Sequence, residues 1–234
     1  MTNLFSMDTV FFTFMGYPMS YLEFFGTILN IWCVWLVSRN KILNWPVGIL
    51  AVLLFMALFY QIQLYSDFLE QIYFLITGFY GWWIWSQRNK AKQNKQTSLN
   101  ESILFATTKM RIISIISVVF GTLILGFIMC DVHLFLPSIF AEPASFPFLD
   151  AFTTVMSFVA TILMAHQKIE SWILWVAVDL IGIWLYFVKD VKFISLLYVI
   201  FLILATKGFF TWIRLWKQHK KEKTQPLSSQ QASF

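Results

Sequence analysis

Seven stretches of this chain run for about 18 to 25 residues with almost no charge: Tyr21–Ser38, Trp45–Ile62, Phe68–Ser86, Ile112–Leu136, Phe148–His166, Trp172–Val188 and Phe193–Trp216. Wound as a helix, a run of that length spans the roughly 30 Å hydrocarbon layer of a bilayer. Backbone groups facing lipid have no partner outside their own segment, so each run is expected to be helical. The pattern predicts an all-α integral membrane protein with seven transmembrane helices. It also divides the chain: residues 1–20 as an N-terminal interfacial segment, 21–87 as a first group of three helices, 88–111 as a polar linker, 112–136 as a connecting helix, 148–216 as a second group of three, and 217–234 as a basic tail. The stretch Thr9–Ser20 is short and broken by Gly16 and Pro18, which fits a piece lying at the membrane surface. Trp45, Trp82, Trp83, Trp85, Trp172, Trp212 and Trp216 stand near the ends of the runs, where amphipathic rings favour the interface.

Composition agrees with the pattern. Of 234 residues, 59% are hydrophobic and 12% charged, against about 45–50% apolar and about 25% charged in soluble domains. The net charge of +5 is distributed by topology and does not suggest nucleic acid. With seven spans, Arg39, Lys41, Arg88, Lys90, Lys109, Arg111, Lys168, Arg214 and Lys217 fall on one side, and Lys189 and Lys192 on the other. The positive-inside rule then places the C-terminus in the cytoplasm. The last residues, Thr224–Phe234, are polar and expected to be disordered. No basic start, apolar centre and small-residue cleavage site precede the first run, so no secretory leader is expected. Cys33 and Cys130 lie apart in different runs, as packing residues. His133, His166 and His219 are too scattered to ligate one metal. No metal and no cofactor is expected.

The chain also matches itself at an offset of 127 residues. Glu23 falls on Asp150, Thr27 on Thr154, Asn30 on Ser157, Lys41-Ile42 on Lys168-Ile169, Trp45 on Trp172, Gly81 on Gly208 and Trp85 on Trp212. Aliphatic matches between apolar runs mean little, but paired acids, Lys-Ile-x-x-Trp and Gly-x-x-x-Trp at one offset signal an internal repeat. Three helices is an odd number, so directly joined repeats would be inverted. The extra run Ile112–Leu136 restores the orientation, giving two parallel three-helix repeats joined by one helix, with a site expected between them near the midplane.

Polar groups at bilayer depth are costly and read as functional first. Glu23, Thr27, Asn30 and Val34 form a stripe that Asp150, Thr154, Ser157 and Thr161 repeat; it either faces a shared interior or bonds helix to helix. Asp179 stands mid-run with Trp172, Trp175 and Tyr186 on the same helical face. A carboxylate among aromatic rings suits a cationic aromatic solute, through counter-charge and cation–π attraction. The competing reading pairs Asp179 with Lys207. On the third helix Gln71, Phe74, Gly78 and Trp82 share one face and Glu70, Tyr73, Thr77 and Tyr80 another. Gln71 is the preferred partner for an amide or hydroxyl, and Tyr65 is placed near an outer entrance. Asn30, Trp45, Tyr65, Gln71, Trp172, Trp175, Asp179, Tyr186 and Lys207 are thus the candidate site residues.

Certain strings carry a family likeness. Lys41-Ile42-Leu43-Asn44-Trp45-Pro46-Val47-Gly48, Phe59-Tyr60-Gln61-Ile62-Gln63-Leu64-Tyr65-Ser66-Asp67, Tyr80-Gly81-Trp82-Trp83-Ile84-Trp85, Phe146-Pro147-Phe148-Leu149-Asp150 and Glu170-Ser171-Trp172-Ile173-Leu174-Trp175 resemble the PnuC family of bacterial nicotinamide riboside transporters. The likeness spans about Tyr21 to Trp216. It implies a 3+1+3 fold related to the SWEET sugar transporters, a homotrimer in the bacterial inner membrane, and facilitated diffusion of a vitamin. A cytoplasmic kinase would then trap the riboside by phosphorylation. At Asp179 the chain departs from the pattern, where the family member compared carries asparagine, so thiamine, also a cation, or riboflavin stay open as solutes. A seven-helix receptor or sensor has the same span count but needs no internal repeat. An intramembrane enzyme would need a metal cluster or a nucleophile–base pair at depth.

Overall fold

Each of the seven apolar runs is a helix, and a short hairpin precedes them. The computed structural model describes residues 9–14, 17–61, 65–93, 103–135, 146–188 and 192–224. Strands β1 (Val10–Phe14) and β2 (Tyr17–Ser20) pair antiparallel, within the segment read from the sequence as interfacial. Helices follow as α1 (Tyr21–Ser38), α2 (Asn44–Gln61), α3 (Tyr65–Gln93), α4 (Thr108–Phe135), α5 (Pro147–Ala165), α6 (Glu170–Val188) and α7 (Lys192–Thr224). Both α3 and α7 continue well beyond their apolar runs, because their polar extensions hold helix formers with no Gly or Pro to stop them. The tail expected to be disordered begins where α7 ends, and residues 225–234 lie outside the described ones.

Six helices are long and apolar enough to cross a membrane: α1, α2, α4, α5, α6 and α7. The seven-span expectation therefore rests on α3, which is long enough at 29 residues. It spends positions on Glu70, Gln71 and a Tyr-Gly-Trp-Trp segment where the others have aliphatics.

Helix α1 packs on α2 and α7, α2 on α3, α3 on α5, α5 on α6, and α6 on α7, so six helices close a ring. Helix α4 packs on α5, outside the ring. There Gly121 and Gly126 let Val155 and Phe148 approach its backbone, and most of its remaining surface is exposed aliphatic and aromatic side chain.

The turns after α1 and α5 have the same build. Asn40 and Gln167 both take φ of 55°, a left-handed state that ends a helix by returning its last carbonyls to the following amides. Lys41 N donates to Leu36 O at 3.0 Å and Lys168 N to Leu163 O at 2.9 Å. The two turns meet: Gln167 Nε2 donates to Asn40 Oδ1 at 2.7 Å, and Arg88 Nη1 from the end of α3 donates to Gln167 Oε1 at 2.9 Å. Arg39, Lys41, Arg88, Lys168, Arg214 and Lys217 cluster at this end of the bundle, called the basic end below. The opposite, hairpin end carries Glu23, Asp67, Glu70 and Asp150.

Because Gln167 is buried and holds two partners, its loss leaves a half-buried Asn40 oxygen and a guanidinium donor unmatched. Gln167→Ala is expected to cost about 1–3 kcal/mol, seen as an unfolding midpoint lowered by several degrees in detergent. An unchanged midpoint would mean that the bridge between the turns holds nothing together.

Candidate functional site

Just inside the basic end lies a layer of tryptophan. Trp45 packs edge-on to Trp85 at 5.6 Å between ring centroids, Trp85 meets Trp212 at 6.5 Å, and Trp172 packs edge-on to Trp212 at 5.5 Å. All four are buried, with Trp212 fully so. Trp85 Nε1 donates to Ala165 O at 3.0 Å and Trp212 Nε1 to Val37 O at 3.1 Å, so each stitches its helix to the end of another in the ring. The indole N–H groups of Trp45 and Trp172 are buried without an acceptor. Gly81 and Gly208 give Trp45 and Trp172 their room, since a Cβ there would lie 2.2 Å and 2.6 Å from the respective ring. An interface belt was expected for all four tryptophans. Of the tryptophans expected in a belt, Trp82 and Trp83, 39% and 60% exposed, stay on the surface.

Above this layer, a cavity of about 570 Å³ runs inside the ring toward the hairpin end, within the range of ligand pockets. Asn30 and Cys33 of α1 line it, with Trp45 and Val52 of α2, Glu70, Gln71 and Phe74 of α3, Ser157 and Thr161 of α5, Trp172, Trp175, Asp179 and Tyr186 of α6, and Tyr198 and Phe201 of α7. Asp179 is only 4% exposed, whereas Glu23, Asp67 and Glu70 are each half-buried. Tyr186 and Tyr198 stack at 5.3 Å and 19° to form part of the wall.

At the hairpin end Tyr17, Glu23 and Asp67 complete the lining. Glu23 is committed there: its carboxylate accepts from Tyr17 Oη at 2.6 Å and from Ser20 N at 2.8 Å, while Ser20 caps α1 in return. Burial first, then the hydrogen bond and charge of Glu23, push the Tyr17 hydroxyl up to about 12, so it stays a donor at any physiological pH. No lysine, arginine or histidine lines the cavity among the described residues. The one ion pair among them, Arg111 with Glu170 at 2.8 Å, is at the basic end. The described lining of the chamber is therefore aromatic and acidic.

Comparison with known proteins gives this chamber a lineage. The profile of a family described as nicotinamide mononucleotide transporter matches residues 20–214. The nicotinamide riboside transporter PnuC of Escherichia coli (strain K12) is 34% identical over 216 residues, covering 85% of this chain and 87% of that one. The chain belongs to the PnuC family of membrane transporters. The Haemophilus influenzae nicotinamide riboside transporter PnuC is 27% identical over 86% of this chain and 83% of its own. A riboflavin/roseoflavin transporter, RibM of Streptomyces davaonensis, is 29% identical over 80% and 82%. The crystal structure of the vitamin B3 transporter PnuC shares the fold, with a TM-score of 0.62 at 24% identity over 85% of this chain and 83% of that chain.

Within this PnuC-family fold, Asn30, Trp45, Gln71, Trp172, Trp175, Asp179 and Tyr186 come together around one cavity. The side chain of Tyr65 lies outside the described ones. Lys207 does not reach the cavity: it is exposed on α7, and the structure offers Asp179 no ion pair with it. Gln71, Phe74 and Gly78 face the interior, whereas Tyr73 turns to α5, stacking on Phe158 at 3.9 Å and donating to its carbonyl at 2.9 Å. Glu70, placed by the sequence on the other face with Tyr73, lines the cavity as well. The polar stripe divides: Glu23, Thr27, Asn30, Ser157 and Thr161 line the space, while Asp150 and Thr154 do not.

Cys33, Tyr198 and Phe201 are cavity residues that sequence reasoning passed over. The 127-residue offset carried the signal for two of them, since Tyr198 falls on Gln71 and Phe201 on Phe74. For Cys33 the cue was Gly48, whose Cβ would lie 2.9 Å from the Cys33 sulfur.

Proposed function

We propose that this chain carries nicotinamide riboside across the bacterial inner membrane by facilitated diffusion, through the cavity inside the six-helix ring. The observation that carries the reading is Asp179, set deep among Trp172, Trp175 and Tyr186 in a chamber lined by acids and by no cation among the described residues. Nicotinamide riboside is a cationic aromatic ring bearing an amide, joined to a ribose. Indole faces and a carboxylate attract the ring, Gln71 serves the amide, and Asn30, Ser157 and Thr161 serve hydroxyls.

The same chamber discriminates. The family profile is described by the mononucleotide and the E. coli and H. influenzae relatives by the riboside, and charge separates the two solutes. A phosphate about 6 Å from one carboxylate meets roughly 3 kcal/mol of repulsion at an effective dielectric constant of ~20. Riboflavin, the solute named for RibM, is neutral and gains nothing from Asp179. Protein reconstituted in liposomes is expected to take up labelled nicotinamide riboside without a proton or sodium gradient and to leave the mononucleotide outside. Uptake of riboflavin or thiamine in preference to the riboside would overturn the substrate, and dependence on a gradient would overturn the mechanism.

We further propose that α1–α3 and α5–α7 are two parallel repeats joined by α4, with α3 as the seventh span. Supporting this, cavity residues recur at the offset: Asn30 with Ser157, Trp45 with Trp172, Val52 with Asp179, Gln71 with Tyr198, and Phe74 with Phe201. The twin turns at Asn40 and Gln167 and the twin Gly–Trp contacts follow the same spacing. The concentration of Lys and Arg favours a cytoplasmic basic end and C-terminus, which makes the tryptophan layer the inner closure. The homotrimer would need a surface outside the ring, and the exposed apolar side of α4 offers one. Trapping by a cytoplasmic kinase fits a carrier that accepts only the unphosphorylated solute.

A further inference from the structure

The linker between α3 and α4 returns to the bundle before α4 begins. Ile103 is fully buried in the tryptophan layer, in one cluster with Val37, Trp45, Trp85, Ile169, Trp172 and Trp212. Leu104 pairs with the turn after α5 as a strand would: Leu104 N donates to Gln167 O at 3.2 Å and Ile169 N to Leu104 O at 3.2 Å. Phe105 packs edge-on against Trp216 at 5.0 Å. Ala106 N donates to Glu170 Oε2 at 2.8 Å, and Arg111, one turn into α4, holds Glu170 Oε1.

Among the described residues this strap has no counterpart on the other side of the ring. The position matching Glu170 at the offset is Leu43, exposed and with no carboxylate to offer, and no segment among the described residues pairs with the turn at Asn40. Gln167 gathers the whole closure at one residue: its side chain ties Asn40 and Arg88, and its carbonyl ties Leu104.

We infer that residues 103–107 are a separate component of the inner gate, with Ile103 as its plug, and that the solute is released only when this strap leaves the tryptophan layer. The inference rests on the reading that the solute crosses through the cavity and leaves at the basic end. A path to that end must part Trp45 from Trp85 and Trp172 from Trp212. Ile103 fills the space between these helix ends, and its backbone neighbours lock the α5–α6 turn to the chain that follows α3. Ile103 and Glu170 are positioning residues for release and touch no solute.

Two experiments test it. In a Leu104→Cys/Lys168→Cys double variant, whose cysteines replace bridge partners, oxidation is expected to lower riboside uptake into liposomes at least about tenfold. A reducing agent should restore uptake, and calorimetric affinity for the riboside should not change; each single variant, oxidised in parallel, controls for Cys33 and Cys130. Uptake that persists with the strap covalently held overturns the inference. The second test needs no solute. In a Cys130→Ser background Cys33 is the remaining thiol, and a small impermeant methanethiosulfonate added at the basic end should label it about tenfold faster in Ile103→Ala and in Glu170→Gln. Unchanged labelling in both folded variants would reduce the strap to a structural prop. If the unoxidised protein takes up no riboside while the labelling still responds, the solute assignment fails and the gate stands.

Discussion

Asp179→Asn is expected to weaken binding of nicotinamide riboside about tenfold to thirtyfold, with little change in fold. The substitution keeps the volume and one oxygen, so it removes charge alone. A unit cation about 5 Å from the carboxylate is worth roughly 3 kcal/mol at an effective dielectric constant of ~20, and the desolvation of a side chain only 4% exposed takes back part of that. What is left is about 1.4–2 kcal/mol, hence the range in affinity. Titration calorimetry on the purified protein reads it directly. A neutral solute of the same shape should bind the variant and the parent alike. Equal affinity of both proteins for the riboside, with a lowered unfolding midpoint in the variant, would show the acid to be structural.

Gly81→Ala is expected to be the most destabilising single methyl in the bundle. Its Cβ would lie 2.2 Å from the Trp45 ring, closer than at any other described glycine, and Trp45 is held on another side by Trp85, so it could shift only toward the cavity. Overpacking of this kind costs about 1–3 kcal/mol, and more where neighbours cannot yield. Gly208→Ala, 2.6 Å from Trp172, should follow with a smaller loss. Thermal unfolding in detergent would order the two. If neither variant loses stability, the tryptophan layer yields easily and is too soft to serve as a closure.

The helices were legible because bilayer-length apolar runs leave the backbone no other choice, and α1 begins and ends where the sequence pattern does. The composition of the cavity was legible from α6, where four residues on one helical face, Trp172, Trp175, Asp179 and Tyr186, all point inward. Rotation of α7 was harder. Lys207 was read as a possible partner for Asp179, yet it is exposed on α7, as its offset partner Tyr80 is on α3.

The packing of the tryptophans into one layer was missed for a physical reason, although Trp45 and Trp172, read as site residues, do line the cavity. A tryptophan near the end of a span has the same sequence signature whether it anchors at the interface or packs against a neighbouring helix end, and only the glycines opposite, Gly81 and Gly208, hinted at the second. The strap left no signal. Ile103-Leu104-Phe105-Ala106 is too short for a periodic pattern, and its partners come from the α5–α6 turn and from α7. The hairpin was blurred in the same way, since Pro18, which lies inside β2 opposite Thr13, reads as a break in the sequence.

The most direct test of the account is a structure of the protein with nicotinamide riboside bound. The nicotinamide ring is expected inside the six-helix ring, against the faces of Trp172 and Trp175, with its cationic nitrogen within about 6 Å of an indole centroid and its nearest acid Asp179. Density for the ring outside this cavity, or held at Glu23 and Asp67 with Asp179 left untouched, would contradict it.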